Sequence, residues 1–193
     1  LFRSFKIAKD STFTMMREAA SRGHTLYACE PQHLVWERGG KVSARLREIA
    51  LTSDPTAWFT ELETPSTPLA ELDAVVMRKD PPFDSEYFYA THLLGQAERE
   101  GARVFNKPAA LRDHPEKLAI LEFPEHIAPT LVTRSAADVR AFHAEHRDII
   151  LKPLDGMGGM GIFRVGEDGL NLGSITETLN RHGSTTVMVQ RYL

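Results

Sequence analysis

Ile149-Ile150-Leu151-Lys152-Pro153-Leu154-Asp155-Gly156-Met157-Gly158-Gly159-Met160-Gly161 is the stretch that decides the fold. Its apolar half reads as a buried strand, where a lysine has no ordinary place. An ammonium group there is costly to bury unless an anion meets it. Glycines at four of the six positions 156–161 let bare backbone N–H groups approach that same anion. Period-two alternation lets Lys152 share a face with Ile150. The combination points to a nucleotide phosphate.

Gly156, Gly158 and Gly161 also satisfy the spacing G-x-G-x-x-G. A dinucleotide site of that kind needs a helix opening on the last glycine, so that its N-terminus faces the pyrophosphate. Here Ile162-Phe163-Arg164-Val165 follows, β-branched and aromatic, and then the turn Gly166-Glu167-Asp168-Gly169. The context is strand, glycine loop, strand. It predicts a β-hairpin whose flexible tip folds over phosphates; a glycine-rich turn without a ligand is the plainer alternative.

Upstream, Phe13, Met16, Ala19 and Ala20 recur at helical spacing within residues 11–22, and Gly23 stands where a helix stops. Strands are expected at Thr25 to Cys29, at Asp73 to Arg78 and at Arg103 to Asn106. Lys79-Asp80-Pro81-Pro82-Phe83-Asp84 reads as a loop, and a helix from Ser85 to Glu100 ends at Gly101. This alternation predicts a parallel α/β layout. The character changes around Asn106-Lys107-Pro108, which sets domains at 1–108 and 109–193. In the second, Asp113 with Glu116 reads as an N-cap with Lys117 one turn inside a short helix. The next strand is expected at Pro129 to Thr133, Ser135 with Asp138 caps a helix, and Ser174 with Glu177 reads as another capping box before a helix closed by Gly183. The β-prone run from Thr185 to Leu193 is expected to present an unpaired apolar edge at Thr186 to Val189, as in an incomplete polypeptide.

With 193 residues and 42% hydrophobic content, the chain can build one large or two small cores. A net charge of −3 and the absence of a basic block give no reason to expect nucleic acid or a membrane surface as partner. The single cysteine, Cys29, excludes a disulfide within the chain and fits a cytoplasmic setting. It reads as a small core residue, and Trp36 and Trp58 read as packing residues. His143 and His146 have an i,i+3 spacing but sit on a solvated helix end, which argues against a metal site.

Several stretches together resemble the bacterial glutathione synthetase family of the ATP-grasp superfamily. They are Lys9-Asp10-Ser11-Thr12, the loop from Val76 to Asp84, Asn106-Lys107-Pro108, Glu116-Lys117-Leu118, the segment from Ile150 to Gly159, and Gln190-Arg191-Tyr192-Leu193. The resemblance implies an α/β chain with an N-terminal parallel-sheet pre-ATP-grasp domain on the substrate side, followed by part of an ATP-grasp domain whose C-terminal remainder is absent. It implies ATP-dependent ligation of γ-glutamylcysteine and glycine through an acyl phosphate, with ATP and Mg²⁺ as cofactors and a homo-oligomer, a tetramer by family habit.

By the same resemblance, Lys117 and Lys152 charge-neutralise the nucleotide phosphates and the loop of Gly156, Gly158, Gly159 and Gly161 closes over them. Gln190, Arg191, Tyr192 and Leu193 form the adenine-side hinge. Lys9, Asp10, Ser11, Arg78 and Lys79 contact the peptide, although Arg78 and Lys79 also read as ordinary strand-end charges. No catalytic residue is assigned, and the metal ligands are expected beyond Leu193. Two other readings stay open: another ATP-grasp carboxylate–amine ligase, or a non-catalytic nucleotide-binding module if the chain ends at 193.

Overall fold

A computed structural model describes Phe2 and residues 6–193. The chain forms two compact units, one of residues up to 79 with 85–113, the other of 80–84 with 114–193.

In the first unit, α1 (Ser11–Ser21) starts where the Asp10 carboxylate accepts the Phe13 N–H at 2.9 Å. It stops before Gly23, whose φ of +82° suits a residue without a Cβ. Then come β1 (Leu26–Ala28), β2 (Leu34–Val35), β3 (Ser43–Leu51), β4 (Phe59–Pro68), β5 (Val75–Val76), α2 (Ser85–Arg99), β6 (Val104–Phe105) and α3 (Pro108–Asp113). The expected parallel arrangement is realised by β5 and β6, which α2 joins. The larger sheet is antiparallel: β3 pairs with β1, β2 and β4, with a bulge between Arg45 and Arg47. Neither β3 nor β4 was expected from the sequence. Strand β4 is rich in Thr, Glu and Pro and largely exposed, so pairing with β3 rather than an apolar pattern of its own makes it a strand.

Val42, Ala44, Leu46, Leu69, Leu94, Ala97, Ala102 and Val104 form the core of this unit, with Cys29 packed against it. Burial pushes the Cys29 thiol up, as befits a core residue rather than a nucleophile. Trp58 is buried and meets Phe13 edge-on at 5.1 Å. Trp36 is not a packing residue: it lies just past the two-residue β2 and is 49% exposed.

The second unit contains β7 (Thr130–Thr133), α4 (Ala136–His146), β8 (Ile149–Pro153), β9 (Phe163–Val165), α5 (Leu172–Asn180) and β10 (Val187–Arg191). Its sheet runs β7-β10-β8-β9, with every pairing antiparallel. The strand, glycine loop, strand pattern is therefore the β8–β9 hairpin. Helices α4 and α5 cover one face, burying Val139, Ile149, Leu151, Val165, Val187 and Val189 with Phe142, Leu172, Ile175 and Leu179.

Three local expectations give way. Strand β10 exposes no apolar edge, because β7 and β8 flank it on both sides and Val187 and Val189 are fully buried. Asp113 ends α3 instead of capping a helix. Pro115 opens a turn in which its carbonyl accepts the N–H groups of Leu118 and Ala119, and Lys117 sits in that turn. Ser174 lies inside α5, which begins at Leu172 after a left-handed Asn171. The Ser135 cap does form, with the Asp138 N–H donating to its hydroxyl at 3.2 Å.

Candidate functional site

The period of the strands divides the second sheet into a dry face and an open one. Ile149 and Leu151 point into the helices, which leaves Ile150 and Lys152 on the opposite face. Across the ladder Lys152 stands opposite Met188, and Met188 opposite Val132. Ile150 stands opposite Gln190, and Gln190 opposite Thr130. This open face borders a cavity of about 460 Å³, lined by Lys117, Lys152, Gly156, Gly158, Gly159, Gln190 and Leu193 among others. Glu116, Ile120, Ile127 and Met188 also line it, and none of the four is among the site residues expected from the sequence.

The two lysines are held differently. Lys117 is largely buried; its ammonium donates to the Gly156 carbonyl at 2.6 Å and lies 3.4 Å from the Glu116 carboxylate. The Lys152 ammonium makes no ion pair or side-chain hydrogen bond among the described residues. Its pKa is lowered, first by desolvation and then by the positive charge of Lys117, with Glu116 opposing. The attraction of an anion entering this cavity would offset both effects. The loop is built for close approach: a Cβ on Gly156 would lie 3.1 Å from the Pro153 ring, and Gly158 and Gly159 hold φ of +63° and +79°. Gly161 packs against Pro153 and is not part of the lining.

At the exit of β10, Gln190 donates from Nε2 to the Thr130 hydroxyl at 2.8 Å, and the Arg191 N–H donates to the Pro129 carbonyl at 3.0 Å. Gln190 and Leu193 reach the cavity, whereas Arg191 and Tyr192 are absent from its lining. The Tyr192 N–H donates to the Asp148 carbonyl at 2.9 Å, and the Arg164 guanidinium lies 3.7 Å from the centre of the Tyr192 ring. Sequence reasoning passed over Arg164 and Asp148, which carry no linear motif.

In the first unit the structure brings Arg78 and Ser11 together. Arg78 donates from Nη2 to the Ser11 hydroxyl at 2.8 Å and from Nε to that of Thr12 at 3.1 Å. A guanidinium thus stands at the N-terminus of α1, where the helix dipole also favours negative charge. Lys9 and Asp10 precede that helix, and Lys79 follows Arg78. A smaller cavity of about 100 Å³ touches Cys29, Arg47 and Glu61, and these last two pair with each other at 3.0 Å. His143 is engaged by the Gly166 carbonyl at 2.8 Å and His146 packs on Phe142. No group of three or more His, Cys, Asp or Glu suited to a metal ion occurs among the described residues, and none of their helices is long and apolar enough to cross a membrane.

Two family models cover this architecture: the N-terminal domain of prokaryotic glutathione synthetase matches residues 2–112 and its ATP-grasp domain matches residues 116–193. The chain belongs to the prokaryotic glutathione synthetase family. Within the family it is 57% identical over 190 residues to the glutathione synthetase of Ralstonia nicotianae, covering 98% of this chain and 58% of the relative. With that of Nitrosomonas europaea it shares 51% identity, covering 98% and 60%. The chain therefore spans about 60% of the length of the curated relatives it matches.

Among solved structures, the ATP-grasp ligase PsnB complexed with a minimal precursor matches with a TM-score of 0.52 and 21% identity, over 96% of this chain and 61% of that one. D-alanyl-alanine synthetase A from Vibrio cholerae matches with a TM-score of 0.51 and 17% identity, over 83% and 48%. At these identities the likeness is one of fold.

Proposed function

We propose that the protein is a glutathione synthetase, an ATP-dependent ligase that joins γ-glutamylcysteine to glycine with release of ADP and phosphate. The observation that carries the reading is the Lys152 ammonium, desolvated beside an apolar sheet face, without an ion pair, and sharing its cavity with Lys117 and the glycine loop. Family membership supplies the substrates. A cavity of about 460 Å³ has the size of a small-ligand site. In this reading Lys117 and Lys152 hold the ATP phosphates, and Gly156, Gly158, Gly159 and Gly161 let the loop close over them. The segment Gln190, Arg191, Tyr192 and Leu193 frames the base. Arg78 with Ser11, and with them Lys9, Asp10 and Lys79, take the peptide.

The chemistry then asks for placement and charge neutralisation. The cysteinyl carboxylate of the peptide attacks the γ-phosphorus, the bond to the β,γ-bridging oxygen breaks, and ADP leaves. The glycine amine attacks the resulting acyl phosphate at carbon, phosphate departs with the electron pair of the broken C–O bond, and the nitrogen gives up a proton. A closed glycine loop protects the acyl phosphate from water. A solved PsnB complex contains Mg and ADP, which supports Mg²⁺ as the companion of the nucleotide. The described residues offer no group of three or more His, Cys, Asp or Glu to hold that ion.

Incubating the full gene product with ATP, Mg²⁺, γ-glutamylcysteine and glycine, and following ADP and the product mass, tests the reading. Glutathione is expected in step with ADP. ADP formed only with another amine, such as D-alanine or glutamate, would assign the protein to a different ligation. No ADP with any acceptor would remove the enzymatic reading.

A further inference from the structure

Beside the phosphate-facing residues, Asp148 and Arg164 close a circuit with Tyr192, and the ligase chemistry gives these first two no task. The Asp148 carboxylate accepts two hydrogen bonds from Arg164, at 3.0 Å from Nε and 2.6 Å from Nη2. The guanidinium lies 3.7 Å from the centre of the Tyr192 ring, and the Tyr192 N–H returns to the Asp148 carbonyl at 2.9 Å. Three chain segments meet in it: the approach to β8, the middle of β9 and the exit of β10.

Fold stability does not account for this arrangement. The side chains of Asp148 and Arg164 are 28% and 54% exposed, and an ion pair in water contributes little to folding. The fork fixes a plane and a direction, and the aromatic ring stacked on that plane is fixed with it. Strand β10 ends at Arg191, Tyr192 is the next residue, and Leu193 already lines the cavity. The circuit therefore sets the backbone one residue before a cavity wall. On the other flank, the Arg191 N–H on Pro129 and the Gln190 amide on Thr130 tie the same segment to β7.

We propose that Asp148 and Arg164 are positioning residues for the nucleotide base. They hold Tyr192, and through it residues 190–193, at the register in which backbone groups there meet the edge of a purine packed among Ile120, Ile127 and Met188. The proposal rests on the nucleotide reading of the cavity and is independent of which amine the enzyme uses.

The test is the dissociation constant for ATP and for GTP, by calorimetry on the full gene product, with thermal midpoints as a folding control. Arg164→Met should raise the ATP constant about 3–20-fold. GTP, whose hold is mainly through the phosphates, should move much less, so discrimination between the bases shrinks. Arg164→Lys keeps the charge without the fork and should resemble Arg164→Met. Asp148→Asn, which keeps the shape, should give a smaller loss in the same direction; these two variants carry the test if Arg164→Met fails to fold. Equal weakening of both nucleotides, no weakening of either, or a wild type that does not tell ATP from GTP overturns the positioning role alone. A wild type that binds neither overturns the nucleotide reading as well.

Discussion

Replacing Lys152 with methionine separates binding from folding. The substitution keeps an unbranched apolar stem against Met188 and removes a cation that, among the described residues, has no ion pair and faces a second cation, Lys117. Deleting it strands no partner, so the free protein should change by no more than about 0.5 kcal/mol. The bound state loses a charge-assisted hydrogen bond to phosphate, about 1.5–3 kcal/mol. That corresponds to roughly 10–150-fold in the ATP dissociation constant. Calorimetry with ATP and Mg²⁺, with a thermal melt of the same samples, reads both quantities. Unchanged ATP affinity would refute the phosphate assignment. A melting point lowered by many degrees would show that Lys152 supports the fold through a contact not identified among the described residues.

Titration gives an independent check on the same group. Because the folded pKa of Lys152 lies below its unfolded value, the unfolded chain binds more protons between the two, and stability should rise with pH across that window and level off above it. Nucleotide affinity should do the reverse, falling as pH rises through the folded pKa, and the Lys152→Met variant should lack that fall. Gly159→Val forces a β-branched residue to φ of +79° in open space, so turnover should drop several-fold more than stability does; hydrogen exchange should also show the loop protected only with nucleotide. Arg78→Ala frees the Ser11 and Thr12 hydroxyls and should raise KM for γ-glutamylcysteine while KM for ATP stays put; the opposite pattern would move Arg78 to the nucleotide.

What could be read from the chain and what could not have separate physical origins. The β8–β9 hairpin was legible because a lysine in an apolar strand and a run of glycines are local anomalies. The parallel pair β5 and β6 was legible because two short valine-containing runs flank a helix closed by Gly101. Strand β4 was hidden, since Phe59 to Pro68 owes its conformation to a neighbouring strand and not to its own composition. The motifs at Asp113 and Ser174 misled for a different reason: a short polar residue followed three positions later by an acid occurs inside and after helices as well as before them. At the site, Lys152 announced itself, whereas Lys117 stood out only through the family resemblance. Their partners did not: the Gly156 carbonyl under Lys117 and the Asp148 fork under Arg164 arise from chain returns that no local pattern encodes.

The central place of β10 also bears on how the second sheet comes into being. Strands β8 and β9 are joined by one loop and can zip together early, but among the described residues the strand partner of β7 is β10, whose Val187 stands opposite Thr133. During synthesis β7 must wait, with its ladder groups open, until residues 187–191 have emerged. Only then do the two halves of the sheet join, in a late step of long loop closure. The same strand carries Met188 and Gln190 to the cavity, so the part of the ligand-facing surface that they form appears only when β10 joins the sheet.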